Sequence, residues 1–277
     1  MEDFKKMDNN FILLKDHLTQ DEGKRVTSWA DQMEEWLEMR GKWMIYNEIV
    51  DPSTMPKSTY VKGCNKGEKL MRARIENFIS YHPELKEFLD HTIKPLLEDK
   101  IGKKVKLFKD KMNWKRPGGH GFAPHQDHPA WSDFPPSIFY TVAIFADSAT
   151  PENGCLEFGN LPSSERKSGG KLAEVLPYYE NGDGKIEGAD SFNWELYPTT
   201  PRDVLIFDSF VPHRSGPNRS DGSRRIFYFT FNLAEEGDYY TDYVEKKRQE
   251  LPPDIEREKG KDYKILGSKY NLANPIV

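Results

Sequence analysis

The sequence predicts a mainly β protein with flanking helices, whose core is a double-sheet, cupin-like jelly roll. Three observations indicate this class. Apolar residues follow a helical period only in the first hundred residues, an alternating period begins near residue 104, and Pro/Gly-rich segments separate the alternating stretches. Helices followed by many short strands are typical of an antiparallel core that is braced by helices.

Two amphipathic helices are predicted in the N-terminal part. The first covers residues 21–40, where one apolar stripe contains Val26, Trp29, Met33, Trp36 and Leu37. The second covers residues 82–102, with a stripe of Leu85, Phe88, Leu89, Leu96 and Leu97. Pro83 suits the first turn of this helix and Gly102 its end, whereas Pro95 is expected to kink or split it.

Five alternating stretches are predicted to be strands: "KVKLFKDKMNW", "SIFYTVAIFAD", "CLEFGN", "DVLIFDSF" and "RRIFYFTFNLA". Residues 163–202 are interpreted as a long lid or binding loop, because "SGG" and "ENGDGK" interrupt any regular pattern. The charged segment after residue 237 is interpreted as a solvated helix and a peripheral extension. We therefore expect one domain over residues 1–277, with helical support (1–103), a jelly-roll core (104–235) and a C-terminal extension (236–277).

The charge balance favours a small-molecule substrate. The 277 residues contain 40 Lys and Arg against 45 Asp and Glu, a net charge of −5, which does not suggest a nucleic-acid or anionic-membrane partner. The longest apolar runs, such as "FILL", are far shorter than the roughly 20 residues of a membrane span. Without a signal-peptide pattern or a CxxC pair, we expect a cytoplasmic protein in which Cys64 and Cys155 are reduced, buried thiols.

A candidate metal site lies in "GFAPHQDHPAW", residues 121–131. His125 and Asp127 follow a flexible loop, and alternation would place both on one face of a strand end. His213, at the end of "DVLIFDSFVPH", is the candidate third ligand. Two imidazoles and a carboxylate favour iron over zinc, and hydrogen-bonded structural histidines are the alternative. A second His-x-acid pair, His82 and Glu84, surrounds Pro83 and is interpreted as a helix start without a metal role.

The stretches "PHQDHPAW", "TPENGCLEF" and "DVLIFDSFVPHRSGPNRSDGSRR" together resemble the phytanoyl-CoA dioxygenase family of Fe(II)/2-oxoglutarate-dependent oxygenases. The resemblance covers residues 104–235 well and residues 60–103 more loosely. It implies a double-stranded β-helix, with iron held by His125, Asp127 and His213. It further implies hydroxylation coupled to the conversion of 2-oxoglutarate and O₂ into succinate and CO₂.

The resemblance also implies which residues contact 2-oxoglutarate. Arg224, eleven residues after His213, matches the arginine that pairs with the distal carboxylate, and Ser215 and Asn113 match further contacts. A guanidinium suits a carboxylate partner, and alternation would turn Arg225 to the opposite face. Ser215 and Asn218 could instead be turn residues, and Asn113 an edge-strand residue. The stretch "GNLPSSERKSGG" departs from the family, which often has Gly-Ser-His there, and leaves substrate contacts from that loop open.

Several residues near the candidate iron site suggest a small zwitterionic substrate. Trp131 matches a pocket-lining tryptophan of the related ectoine hydroxylases; it could receive an ammonium group or pack in the core. Lys109 and Lys111 share a strand face with Asn113, and they and His120 could receive an anionic group or lie on a solvated face.

The stretch "LFKDKMNWKRPGGHGFAPHQDHPAWSDF" is most similar to the group within the family that hydroxylates 2-aminoethylphosphonate at the carbon next to phosphorus. The alternatives are a hydroxylase of another small metabolite, such as an ectoine-like or amino-acid-like compound, and a non-catalytic jelly-roll protein that binds a metal or ligand.

Overall fold

The structure is a computed structural model that describes residues 10–50, 69–160, 173–179, 185–261 and 263. Its strands are β1 (Phe11–Leu14), β2 (Met44–Val50), β3 (Lys69–Glu76), β4 (Val105–Lys115), β5 (Phe122–His125), β6 (Phe139–Phe145), β7 (Leu156–Asn160), β8 (Asn193–Tyr197), β9 (Val204–Asp208), β10 (His213–Ser215) and β11 (Arg224–Leu233). Its α-helices are α1 (Gln20–Glu34), α2 (Pro83–Phe88), α3 (Lys94–Ile101), α4 (His128–Trp131) and α5 (Tyr240–Glu250).

The strands form two antiparallel sheets. The large sheet has the order β1-β9-β6-β11-β4-β3-β2, and the small sheet has the order β5-β10-β7-β8. Phe145, Phe207 and Ile226 of the large sheet pack with Leu156 and Phe158 of the small sheet in one buried cluster. The two sheets therefore enclose an apolar interior, and the predicted jelly roll is confirmed.

Helices cover the other face of the large sheet. Trp29 and Met33 of α1 belong to the same buried cluster as Met112, Trp114 and Phe229 of the sheet. A capping box at Thr19 starts α1, which ends at Glu34, earlier than predicted. Leu37 lies beyond this end and is 74% exposed, so its assignment to the apolar stripe is wrong.

The second predicted helix is irregular just before Pro95, where the chain stays helical but changes its hydrogen-bond pattern. α2 ends at Phe88, one π-helical turn covers Leu89–Ile93, and α3 begins at Lys94 with Pro95 in its first turn. A proline has no N–H to donate and clashes with the preceding turn, which explains the irregular turn before it. Gly102 ends α3 at φ 68°, a left-handed conformation that favours glycine.

The N-terminal region is less helical than predicted. Besides the helices, residues 1–103 contribute β1, which pairs with β9, and β2 and β3, which extend the large sheet beyond β4. The predicted loop over residues 163–202 likewise contains β8, which pairs with β7. Both differences have one cause: these short strands depend on partners that are distant in the sequence. A single domain over the whole chain stays a prediction.

The C-terminal extension is also more integrated than predicted. It contains helix α5, but Tyr243 and Lys247 of this helix are buried. Cys155 is a buried free thiol, as expected, and Cys64 lies outside the described residues. Within the described part of the chain, no helix combines the length and the apolar composition needed to cross a membrane.

Candidate active site

The small sheet places two histidines side by side. β5 ends at His125 and β10 begins at His213, and the antiparallel register pairs these two residues directly. Their imidazole centroids are 4.1 Å apart, and both side chains are buried. Residues 88 positions apart in the sequence thus become neighbours through strand pairing alone.

Asp127 completes the group from the segment between β5 and α4. Its Oδ1 lies 3.8 Å from His125 Nε2, and its Oδ2 lies 3.9 Å from His213 Nε2. These separations are too long for hydrogen bonds. One candidate ligand atom from each residue lies within 4.8 Å of the others, so the three side chains could hold one metal ion.

Backbone carbonyls orient both imidazoles. His125 Nδ1 lies 2.8 Å from the carbonyl oxygen of Ala123, and His213 Nδ1 lies 3.0 Å from that of Val211. An Nδ1–H that donates to a carbonyl leaves Nε2 unprotonated and available as a ligand. This arrangement fits a metal ion at the Nε2 side of both rings.

The protonation states favour the same interpretation. Burial, together with the neighbouring His213, lowers the pKa of His125 to about 3, and burial also lowers the pKa of His213. Burial acts to raise the pKa of Asp127, but His213, Lys111 and His125 outweigh it, so this pKa lies below its ordinary value. The group is therefore two neutral imidazoles and one carboxylate, the form that binds a divalent metal.

The candidate metal group opens into a pocket with about 730 Å³ of empty space, including the solvent at its open mouth. The lining combines apolar side chains with cationic and polar ones. The lining residues are Arg74, Lys109, Lys111, Asn113, Phe122, His125, Asp127, Ala130, Trp131, Thr141, Leu156, Phe207, His213, Arg214, Ser215, Tyr228 and Thr230.

Lys109 and Lys111 of β4 both line this pocket, so the alternative of a solvated lysine face is wrong for them. Lys109 is buried, and its Nζ lies 3.6 Å from Glu76 Oε1. Burial lowers the pKa of Lys109 and lowers that of Lys111 well below its ordinary value. A bound anion would offset this desolvation, so the two lysines suit an anionic group.

Arg74 is a pocket residue that the sequence reasoning missed. It lies on β3, next to Asn113 in the register, and its Nε donates to Asn113 Oδ1 at 3.3 Å. Asn113 is therefore not an edge-strand residue, because β4 lies between β11 and β3. The alternation of Arg72, Arg74 and Glu76 with apolar residues in "KLMRARIE" is a strand signal that could have indicated Arg74.

Arg224 and Arg225 point to opposite faces of β11, as predicted. Arg224 is fully buried; its Nη1 donates to the Gly154 carbonyl oxygen at 2.7 Å, while its Nε is buried without a hydrogen-bond partner in the described structure. Arg224 does not line the pocket itself, but it interacts with Tyr228, which does. Arg225 instead pairs with Asp31 and Asp147.

Ser215 lines the pocket and accepts a hydrogen bond from Lys115 Nζ at 2.7 Å. Lys115 pairs with Arg224 in the strand register, so the cation that binds Ser215 lies next to Arg224. Asn218 is a turn residue, as the alternative interpretation held: its Nδ2 donates to the carbonyl oxygens of Lys115 and Gly222 at 2.8 and 2.7 Å.

Trp131 and His120 have different outcomes. Trp131 lines the pocket, but it is buried against Phe108 and Phe139, and Lys109 Nζ lies 5.7 Å from its ring centroid. Much of the Trp131 side chain is therefore packed in the core, as the alternative interpretation held. His120 is exposed just after the turn at Pro117 and Gly118 and does not line the pocket, so the structure does not support a substrate contact for it.

The jelly roll with its His-Asp-His group defines a class of proteins, the non-haem iron oxygenases. The family model described as phytanoyl-CoA dioxygenase (PhyH) matches residues 9–226 of the chain. The chain therefore belongs to the phytanoyl-CoA dioxygenase family. It is an enzyme of the iron(II)- and 2-oxoglutarate-dependent dioxygenase type, as expected, and the alternative of a non-catalytic binding protein is set aside.

The chain is similar to curated proteins and to solved structures. It is 38% identical to a 2-aminoethylphosphonate dioxygenase of uncultured bacterium HF130_AEPn_1, with 97% of this chain and 95% of the relative covered. It is 32% identical to a methylphosphonate hydroxylase of Gimesia maris, with 86% and 82% covered. The crystal structure of EctD from S. alaskensis with 2-oxoglutarate and 5-hydroxyectoine has a TM-score of 0.57 at 17% identity, with 82% and 73% covered.

Proposed function

We propose that the enzyme hydroxylates 2-aminoethylphosphonate at the carbon next to phosphorus. In this reaction one O₂ and one 2-oxoglutarate are consumed, and succinate and CO₂ are released with the hydroxylated phosphonate. The observation that carries the proposal is the cationic wall of Arg74, Lys109 and Lys111, which shares one pocket with the His-Asp-His group. The similarity to the 2-aminoethylphosphonate dioxygenase supports this choice of substrate.

His125, Asp127 and His213 would hold the iron. Their neutral imidazoles and carboxylate fit this ion, and three ligands leave positions for other molecules. When bound, iron(II) supplies with 2-oxoglutarate and O₂ the oxidising chemistry that hydroxylates an unactivated C–H bond. The carbonyls of Ala123 and Val211 hold the two rings in position.

Arg224, Ser215 and Asn113 would bind 2-oxoglutarate, with Arg224 at the distal carboxylate. The unpaired, buried Nε of Arg224 is consistent with an anionic partner, since a buried charged donor without a hydrogen bond is costly. Ser215 lines the pocket, and its hydroxyl oxygen accepts a hydrogen bond from the Lys115 ammonium. Asn113 accepts from Arg74, so its Oδ1 also orients a residue of the cationic wall.

The cationic wall would receive the phosphonate. Arg74, Lys109 and Lys111 come from adjacent strands β3 and β4 and converge on the pocket. Charge-assisted hydrogen bonds to a phosphonate dianion are stronger than neutral ones, and the partly apolar surroundings strengthen them further. Trp131 would form an adjacent part of the substrate wall.

A substrate panel tests the proposal. Purified enzyme with iron(II), 2-oxoglutarate and O₂ is supplied with 2-aminoethylphosphonate, methylphosphonate or ectoine. We expect substrate-dependent succinate formation with 2-aminoethylphosphonate and a new phosphorus resonance from its hydroxylated product. Turnover of ectoine without turnover of either phosphonate would overturn the proposal.

A matched pair of variants tests the cationic wall. Lys111→Met removes a pocket cation, and Lys106→Met removes an exposed cation from the same strand. We expect the first variant to raise the KM for the phosphonate about tenfold or more, and the second to leave it unchanged. Equal KM values for the two variants would contradict a phosphonate site at this wall.

A further inference from the structure

A buried carboxylate lies behind the cationic wall. Glu76 is fully buried at the end of β3, and its Oε1 lies 3.2 Å from Arg74 Nη1 and 3.6 Å from Lys109 Nζ. Arg74 and Lys109 line the pocket, whereas Glu76 does not. Glu76 therefore orients two pocket cations from the side opposite to the substrate.

The same carboxylate is bound by the C-terminal helix. Lys247 Nζ of α5 lies 2.7 Å from Glu76 Oε1, and the hydroxyl of Tyr243 donates to Glu76 Oε2 at 3.1 Å. Tyr243 and Lys247 are four residues apart on the buried face of α5. The ring of Tyr243 also lies 5.2 Å from Lys109 Nζ. Two residues of α5 thus contact the back of the pocket wall.

The charges of this group do not balance locally. Glu76 carries one negative charge and contacts three cationic side chains, from Arg74, Lys109 and Lys247. Burial acts to raise the pKa of Glu76, but the three cations outweigh it and keep this pKa below its ordinary value. Burial lowers the pKa of Lys109 and lowers that of Lys247 well below its ordinary value, although Glu76 acts to raise both. Because Lys247 shares the charge of Glu76, Arg74 and Lys109 are positioned by the carboxylate without being neutralised by it.

We propose that Lys247 is a positioning residue for the anionic group of the substrate, so that helix α5 takes part in substrate recognition through Glu76. This inference rests on the proposed phosphonate substrate. Without Lys247, the full charge of Glu76 acts on Arg74 and Lys109 and competes with the substrate anion for them. The expected defect is therefore confined to the anion in the pocket and does not extend to 2-oxoglutarate.

The test compares two adjacent lysines of α5. Lys247→Met removes the buried ammonium, and Lys246→Met removes a half-exposed one that pairs with Asp133 and Glu250. We expect Lys247→Met to raise the KM for 2-aminoethylphosphonate about tenfold or more, while the KM for 2-oxoglutarate and kcat change by less than about threefold. Lys246→Met should match the wild type, and Lys247→Arg, which restores a cation, should recover most of the lost affinity.

Binding of inorganic phosphate to the metal-free protein, measured by calorimetry, separates this inference from the proposed function. Wild-type binding that is weakened in Lys247→Met supports the role of Lys247 even if 2-aminoethylphosphonate is not turned over. Equal phosphate affinity and equal substrate KM in both proteins would overturn it, as would equal losses for substrate and 2-oxoglutarate.

Tyr243→Phe is a second variant that tests the proposal if Lys247→Met does not fold. This variant removes only the hydroxyl that donates to Glu76 and retains the ring that packs on Phe108. We expect a smaller rise of the KM for 2-aminoethylphosphonate, about two- to fivefold, because only one hydrogen bond is lost. A KM for 2-aminoethylphosphonate equal to that of the wild type would contradict the proposed link from α5 to the pocket.

Discussion

The two faces of the large sheet use similar residues for different purposes. On the helix-covered face, Arg225 Nε donates to Asp147 Oδ2 at 2.8 Å and its Nη1 donates to Asp31 Oδ1 at 2.6 Å. On the opposite face, Arg224 is more deeply buried, yet its Nε has no hydrogen-bond partner in the described residues. The comparison teaches that two adjacent arginines of one strand can differ in role: the charge of Arg225 is paired within the protein, whereas Arg224 keeps one donor for a ligand.

The two His-x-acid pairs show the same contrast. His82 caps α2 by accepting from the backbone N–H of Leu85 at 3.3 Å, and Glu84 accepts from Trp29 Nε1 at 3.1 Å. His125 and Asp127 instead converge with His213 at the pocket. A pair of ligand-type residues thus becomes a candidate metal site only where the fold brings a third ligand to it.

The largest effect is expected for Asp127→Ala. This variant should reduce hydroxylation to background, because the remaining two imidazoles no longer provide the carboxylate of the iron site. Succinate formation and anaerobic iron(II) titration measure the two consequences. Wild-type iron affinity with full turnover in His125→Ala or His213→Ala would show that the ligand assignment is wrong.

The second-largest effect, after that of Asp127→Ala, is expected for Arg224→Ala. It should raise the KM for 2-oxoglutarate by about one to two orders of magnitude, or about 1.4–2.8 kcal/mol, and leave iron binding largely unchanged. Arg225→Ala is the matched control on the helix face, and its KM should equal that of the wild type. A defect in 2-oxoglutarate binding for Arg225→Ala alone would reverse the assignment of the two faces.

Arg225→Ala should act on stability instead. The loss of its hydrogen bonds to Asp147 and Asp31 is expected to lower the free energy of unfolding by about 2 kcal/mol. Urea unfolding followed by tryptophan fluorescence measures this change. An unchanged midpoint would mean that the helix-side ion pairs contribute nothing, and the contrast between the two faces would then be weaker than the contacts indicate.

The smallest effect is expected for the double variant His82→Ala, Glu84→Ala. It should keep full activity and iron binding and lose only the helix cap and the hydrogen bond from Trp29 Nε1 to Glu84, together about 1–2 kcal/mol of stability. Iron titration and urea unfolding of this variant give both values. Loss of iron in this variant would mean that the metal-binding pair had been chosen wrongly.

The sequence by itself determined the features that depend on neighbouring residues. The alternating period predicted β4, β6, β7, β9 and β11, and Pro95 predicted an irregularity, which the structure has as the π-helical turn between α2 and α3. Alternation also predicted the opposite directions of Arg224 and Arg225. The resemblance to the family added His125, Asp127 and His213 as a group, and the structure brings these three together.

Only the tertiary structure decided the rest of the pocket. Arg74 enters it because β3 pairs with β4, and Lys247 reaches Glu76 across 171 positions of sequence. β1 and β8 likewise form only against the partner strands β9 and β7. His120 is close to the ligands in sequence, but it is exposed in the segment before β5. Local periodicity reports the conformation and the face of a residue, but which distant residues share a buried charge is decided by strand pairing and helix packing.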